Sequence, residues 1–171
     1  VGVAVVRDRM AEGWSPKRGR GQFLSLLDFA GRLRAGGPTG LSEGLAAYAL
    51  RSREAGVAVL ISDLLDPAGY ERGLKALLER RFDVHVIHVL APEEVDPILA
   101  GDLRLTDAET GEVRDLTMDG QAMGDYRQRL GEFLARAESF CRANEITYHR
   151  VTTDTPVEEM VLRQLKGLLL A

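Results

Sequence analysis

Cysteine is almost absent from this chain. Cys141 is the only one in 171 residues, which excludes an internal disulfide and any thiolate-rich metal cluster. Histidine is scarce as well, with three, and there is a single tryptophan. No apolar run approaches the roughly 20 residues that a membrane-spanning helix requires, and the chain opens on no signal-peptide pattern. Cationic excess is missing too. A formal net charge of −4 argues against non-specific nucleic-acid binding, which relies on a basic surface to displace counterions from phosphates. With no targeting or spanning segment in this chain, the expected location is cytoplasmic. Val1 begins directly on an apolar run, without an initiator methionine or a polar lead-in, so the chain is expected to be a fragment.

What is present is ordinary globular usage, with 45% hydrophobic and 28% charged residues, enough for one domain with a single core. The most informative stretch is Val57 to Pro67, Val-Ala-Val-Leu-Ile-Ser-Asp-Leu-Leu-Asp-Pro. Its first five residues form an unbroken apolar run, the pattern of a strand buried on both faces of a parallel sheet. Ser62 and Asp63 fall where that strand ends, and in open α/β sheets ligands bind at the carboxyl ends of strands. Asp66 and Pro67 suit the cap and first turn of the following helix.

The remaining pattern alternates strands with amphipathic helices. Val1 to Val6 reads as a strand, Arg7 to Gly13 as a turn, and Trp14 to Gly19 as a short return strand placed at a sheet edge by Pro16. Gln22 to Arg34 has Phe23, Leu26, Leu27, Ala30 and Leu33 at helical spacing, which predicts one inward-packed face. A second helix follows Thr39 and ends near Gly56, and a third carries Tyr70, Leu74, Leu77 and Leu78. Asp83 to Leu90 is the next strand. The strand-helix-strand order makes a βαβ unit with parallel strands. A small hairpin is expected at 102–118, set off from the main repeat. Met123 to Cys141 gives a long helical stripe, Ile146 to Val151 a strand, and Thr155 with Glu158 the capping box of a last helix whose apolar side runs to Leu165 and Leu168. The expected fold is therefore α/β, a mostly parallel sheet with helices on both faces.

Five features have chemical potential. Thr39 and Asp63 fall in loops at one expected edge of the sheet, a hydroxyl and a carboxylate of the hard-oxygen type that Mg²⁺ takes. Spacing alone favours a plainer reading, with Thr39 as a helix cap and Asp63 as a turn residue. Lys17, Arg18 and Arg20 among glycines suit an anion, although no Walker A ending is present and a solvated turn fits the same residues. His85 and His88, three apart in a strand, point to opposite faces and cannot share a metal, so both are expected to pack. Ser62 lacks the Gly-x-Ser-x-Gly turn of a hydrolase nucleophile, and Cys141 lies on an apolar stripe. None of these supports catalysis, so a non-enzymatic role is expected.

Lys-Arg-Gly-Arg-Gly-Gln at 17–22, Gly-Gly-Pro-Thr at 36–39, Leu-Ile-Ser-Asp-Leu-Leu-Asp-Pro at 60–67 and Gly-Asp-Leu-Arg-Leu at 101–105, in this order of elements, resemble the DUF58 family over nearly the whole chain. The resemblance implies a von Willebrand factor A-like domain, a three-layer doubly wound sheet. It also implies an adhesion-type Mg²⁺ site built from an Asp-x-Ser-x-Ser loop, a threonine and an aspartate. Thr39 and Asp63 match the last two. The Asp-x-Ser-x-Ser loop does not occur here, and the resemblance puts it, with a first, central strand, upstream of residue 1. On this basis the expected role is protein-protein interaction alongside a MoxR-type AAA+ ATPase in assembly or chaperone-like processes, with Mg²⁺ bound only if the full protein retains the site. The alternative is an α/β enzyme acting on a phosphorylated small molecule, with the Lys17 to Gly21 loop on the phosphate and Asp63 as base or nucleophile.

Overall fold

In the computed structural model the described residues are 1–7, 10–34, 36, 39–107 and 111–163. In chain order they form β1 (Val3–Val6), β2 (Met10–Trp14), α1 (Phe23–Arg32), α2 (Leu41–Arg51), β3 (Val57–Ser62), α3 (Glu71–Glu79) and β4 (Asp83–Leu90). There follow α4 (Pro92–Val95), β5 (Gly101–Thr106), β6 (Val113–Met118), α5 (Gly120–Ala143), β7 (Thr147–Thr152) and α6 (Val157–Arg163). They divide into two compact units. The first gathers Val1–Gly56, Asp66–Phe82 and Thr106–Glu112; the second holds Val57–Leu65, Asp83–Leu105 and the chain from Val113 on.

In the first unit β1 and β2 pair antiparallel, Val3 opposite Trp14 and Val5 opposite Glu12, with a register slip between Val5 and Val6. The return strand thus starts at Met10, earlier than the expected Trp14 to Gly19. The partnership still reaches past Pro16, since the Lys17 N–H donates to the Val1 carbonyl at 3.0 Å; proline itself has no N–H to give.

The core of this unit is the contact of α2 with α3. Leu41, Leu45 and Ala49 are buried on one helix, Leu74 and Leu77 on the other, and Tyr70 at the start of α3. Each buried leucine contributes roughly 1.5–3 kcal/mol. The helices approach so closely at Gly73 that an added Cβ would meet Ser42 Cα at 2.8 Å. Ser42 seals the crossing: its hydroxyl donates to the Gly69 carbonyl at 2.9 Å and accepts from the Gly73 N–H at 3.3 Å. Arg80, just past α3, donates to the carbonyls of Ala49 and Ser52 at 3.1 and 2.7 Å, neutralising the carboxyl end of α2.

Two expectations are corrected here. Asp66 does not cap the helix that follows it. Its Oδ2 accepts from the Leu41 N–H at 2.5 Å, at the start of α2, while Oδ1 accepts from Ala68 at 2.7 Å; α3 begins only at Glu71, so Pro67 sits in the turn before it. And α1 has no buried residue, although its apolar spacing predicted an inward face: Phe23 is 60% exposed, and Leu24 and Leu27 are exposed with it. Apolar spacing states a preference for an apolar neighbour, and the described residues cover this helix only in part, leaving Leu26 and Phe29 half-buried.

The second unit is built on a parallel sheet in the order β3-β4-β7, with Leu60 opposite Val86 and Val86 opposite Tyr148. All three strands lie where the apolar runs predicted them. β4, central, is buried from Val84 to His88 and again at Leu90. α5 covers the face that carries His88, through Phe133, and buries Ala137 and Cys141 completely. Asp119 caps α5, accepting from Ala122 N–H at 2.8 Å. Tyr126 donates to the Glu94 carbonyl at 2.7 Å, tying α5 to the short α4.

β3 departs from its expected burial on both faces. Leu60 alone is buried; Val57, Val59 and Ile61, which share the opposite face, are exposed, Ile61 at 67%, and among the described residues β3 pairs with β4 only. β5 and β6 form a separate two-stranded sheet at the expected hairpin, braced by the two-point contact of Arg104 with Asp115 at 2.8 and 3.3 Å. Thr152 and Thr155 hydroxyls meet at 3.1 Å before α6; Leu165 and Leu168 lie outside the described residues. The fold is α/β on a parallel sheet flanked by helices, compatible with the doubly wound, von Willebrand factor A-like expectation.

Candidate functional site

The carboxyl end of β3 is shaped by local hydrogen bonds. Ser62 Oγ accepts from the Leu64 N–H at 3.0 Å, and Asp63 Oδ1 accepts from the Leu65 N–H at 3.1 Å. These are the tight side-chain turns that serine and aspartate favour. Between them Leu64 adopts φ +59°, a left-handed conformation unusual for a branched side chain, and is held there by complete burial. The loop is therefore anchored from beneath by Leu64 while the Asp63 side chain stays exposed to solvent.

Beneath the loop lies a feature that sequence reasoning missed. The parallel register sets Ser62 opposite His88, so both project from the same face of the sheet. His88 is fully buried; its Nδ1 is 2.6 Å from the Tyr148 hydroxyl, and its ring meets Phe133 edge-on at 5.6 Å. Its Nε2 has no hydrogen-bond partner among the described residues. Burial pushes the His88 pKa below its ordinary value, and Arg150 adds to this; the backbone and charge of Asp63 and the charge of Glu94 oppose it. A neutral, sealed imidazole serves the core. A general base must reach the proton it removes, and His88 has no exposed surface from which to do so. Aligning the two apolar runs strand against strand would have found the Ser62–His88 pairing.

His85 projects from the opposite face, as the alternation predicts, with Nε2 3.4 Å from Asp83 Oδ1. His149 shares that face, and its pKa is lowered by burial and then by the nearby His85. Cys141 is buried, and its thiol pKa is pushed up to about 11.

Of the residues singled out for metal, Asp63 belongs to the second unit and Thr39, half-buried just before α2, to the first. Thr39 does not cap α2, whose first N–H is taken by Asp66. A hydroxyl and a single carboxylate are too few for Mg²⁺, which gives up its waters reluctantly and demands near-octahedral oxygen geometry. Among the described residues no group of three or more His, Cys, Asp or Glu stands where it would hold a metal ion. Thr39 and Asp63 are thus too few donors for Mg²⁺ among the described residues.

Lys17, Arg18 and Arg20 are brought together. They line one cleft of about 650 Å³ in the first unit, with Trp14, Phe23 and Leu26 as its apolar walls. The Lys17 ammonium sits 5.2 Å from the centre of the Trp14 ring, a cation-π contact. No helix among the described residues is long and apolar enough to cross a membrane.

An α/β chain with a parallel sheet and a braced aspartate loop at its carboxyl edge defines the class. Within it, this chain belongs to the family described as Protein of unknown function DUF58, which matches over residues 1–133. It is 43% identical over 74 residues to the uncharacterized protein MAV169 of Mycobacterium avium, covering 43% of each chain. It is 40% identical over 74 residues to the uncharacterized proteins Mb1516 of Mycobacterium bovis and Rv1480 of Mycobacterium tuberculosis, covering 43% of this chain and 23% of theirs. The chain thus spans less than half the length of these curated relatives. No solved structure matches it.

Proposed function

We propose that the chain is a non-enzymatic protein-protein interaction module of the DUF58 type, using the carboxyl edge of its sheet and working with a MoxR-type AAA+ ATPase in assembly or chaperone-like processes. One observation carries the reading: Asp63 presents an exposed carboxylate from a loop whose backbone is fixed by Ser62, by its own Oδ1 and by the buried Leu64. A rigid loop loses little freedom when a partner binds, so its contacts convert to affinity efficiently. An adhesion-type Mg²⁺ belongs to the proposal only for a protein in which an upstream Asp-x-Ser-x-Ser loop adds a carboxylate and two hydroxyls to Thr39 and Asp63.

Calorimetric titration tests this directly. The chain of 171 residues should bind Mg²⁺ no more tightly than about 1 mM, given how little one carboxylate and one hydroxyl offer beyond water. A protein extended upstream through such a loop should bind more tightly and should lose the gain with Asp63→Ala. If the extended Asp63→Ala protein keeps its metal affinity and its chelator-sensitive partner binding, the adhesion-site assignment is wrong.

A further inference from the structure

The cleft of the first unit has a chemistry of its own, independent of Asp63 and of any metal. Its walls are apolar and partly aromatic, Trp14, Phe23 and Leu26, and its rim is cationic, Lys17, Arg18 and Arg20. At about 650 Å³ it falls within the range of sites that take a ligand. It also runs against the charge of the whole molecule. Residues 14–34 contain Lys17, Arg18, Arg20, Arg32 and Arg34 against Asp28 alone, a local balance of +4 in a chain whose formal net charge is −4. The adjoining α1 leaves Phe23, Leu24 and Leu27 exposed, so apolar surface continues from the cleft onto the helix. A contiguous apolar patch rimmed by polar groups marks an interaction surface.

We infer that this cleft docks an acidic segment of a partner protein, with a bulky apolar side chain seated against Trp14 and Phe23 and flanking carboxylates paired with Lys17, Arg18 and Arg20. Charge complementarity selects the sign of the partner and steers its approach. Concavity selects its form, because a pocket takes an inserted side chain, whereas a membrane surface is met by a protruding apolar helix face lying in the interface plane. Aromatic and arginine residues are the types that dominate such anchors. Guanidinium groups at the rim also match carboxylates two-pronged, which a lone ammonium cannot do.

Trp14 is the only tryptophan, so its fluorescence reports on the cleft alone. The probe is an acetylated, amidated synthetic peptide of Glu and Asp around a central Phe-Leu pair, with a counterpart in which every acid is Lys. The expected result is a saturable shift of Trp14 emission with the acidic peptide, absent with the Lys peptide, and weakening several-fold between about 0.05 M and about 0.5 M salt. By anisotropy of the labelled peptide, Phe23→Ser and the double variant Arg18→Glu, Arg20→Glu should each bind at least about ten-fold more weakly. All of these side chains are exposed, so thermal melting should be unchanged. The inference is overturned if wild-type chain shows no saturable binding, if well-folded variants bind as tightly as wild type, or if both peptides bind equally. Binding confined to vesicles of anionic phospholipid, or a Trp14 signal that follows protein self-association by light scattering, overturns it too.

Discussion

Asp66 shows how one carboxylate can join distant parts of a chain. It accepts two backbone hydrogen bonds, at 2.5 Å from Leu41 and 2.7 Å from Ala68, and so fixes both the start of α2 and the turn before α3. Asp66→Ala should therefore cost about 1–2 kcal/mol, the upper range for losing a helix cap, and Asp66→Asn less; denaturant midpoints measure both. The local sequence, Asp-Pro, pointed to a cap on the next helix. The true recipient lies 25 residues upstream, and a long-range hydrogen bond leaves no local signature. His88 gives a pH prediction. Its pKa is lowered in the folded protein, chiefly by burial, from the ordinary histidine value of 6.5. Above that value the folded and unfolded chains both hold it neutral. As pH falls below it, the unfolded chain takes up the proton first, so stability declines down to the lowered folded pKa. His149, shifted the same way, adds to the decline. A His88→Gln variant, whatever its stability at neutral pH, should lose less on acidification in thermal melts. Cys141, with its thiol pKa near 11 from burial, should stay unreactive toward a thiol reagent until the protein unfolds.

At the scale of elements, the sheet and the helix pair answer differently to sequence reading. β3, β4 and β7 were legible because an apolar run is a local property and each strand needed only its own residues to declare it. The exposure of one face of β3 was not legible, since it depends on what packs against that face. The same holds for α1, whose stripe at Phe23, Leu26, Leu27, Ala30 and Leu33 predicted an inward face, whereas no residue of the helix is buried. β2 was misplaced because Met-Ala-Glu-Gly-Trp has no clean alternation, whereas Pro16 drew attention downstream. The open, uncharged edge of β3 invites pairing with other chains. Ile61→Lys, at a position 67% exposed, should therefore reduce concentration-dependent light scattering and shift stability by no more than about 0.5 kcal/mol. In the helix pair, Gly73→Ala puts a methyl group 2.8 Å from Ser42 Cα, and despite the better helix propensity of alanine it should destabilise by about 1–3 kcal/mol in chemical denaturation.

At the scale of the whole molecule, the α/β class and family membership were legible from order and spacing of elements, and the site only in part. Asp63 was singled out because strand ends are predictable; the bracing of its loop by Ser62 and Leu64 was not legible, because a left-handed leucine breaks the expectation for its residue type. Lys17, Arg18 and Arg20 were visible as a charge cluster, but the apolar walls that turn them into a cleft come from β2 and α1 folding beside them. The central claim is that the Asp63 loop is a protein-docking edge. It is tested most directly by measuring, in one calorimetric titration series, the affinity of the full-length protein for a MoxR-type ATPase, the partner proposed above, with wild-type sequence and with Asp63→Ala, Asp66→Asn serving as the control for stability. The account predicts that Asp63→Ala weakens the complex at least about ten-fold while melting stays unchanged and the control binds normally. Equal affinity of wild type and a well-folded Asp63→Ala protein would contradict it.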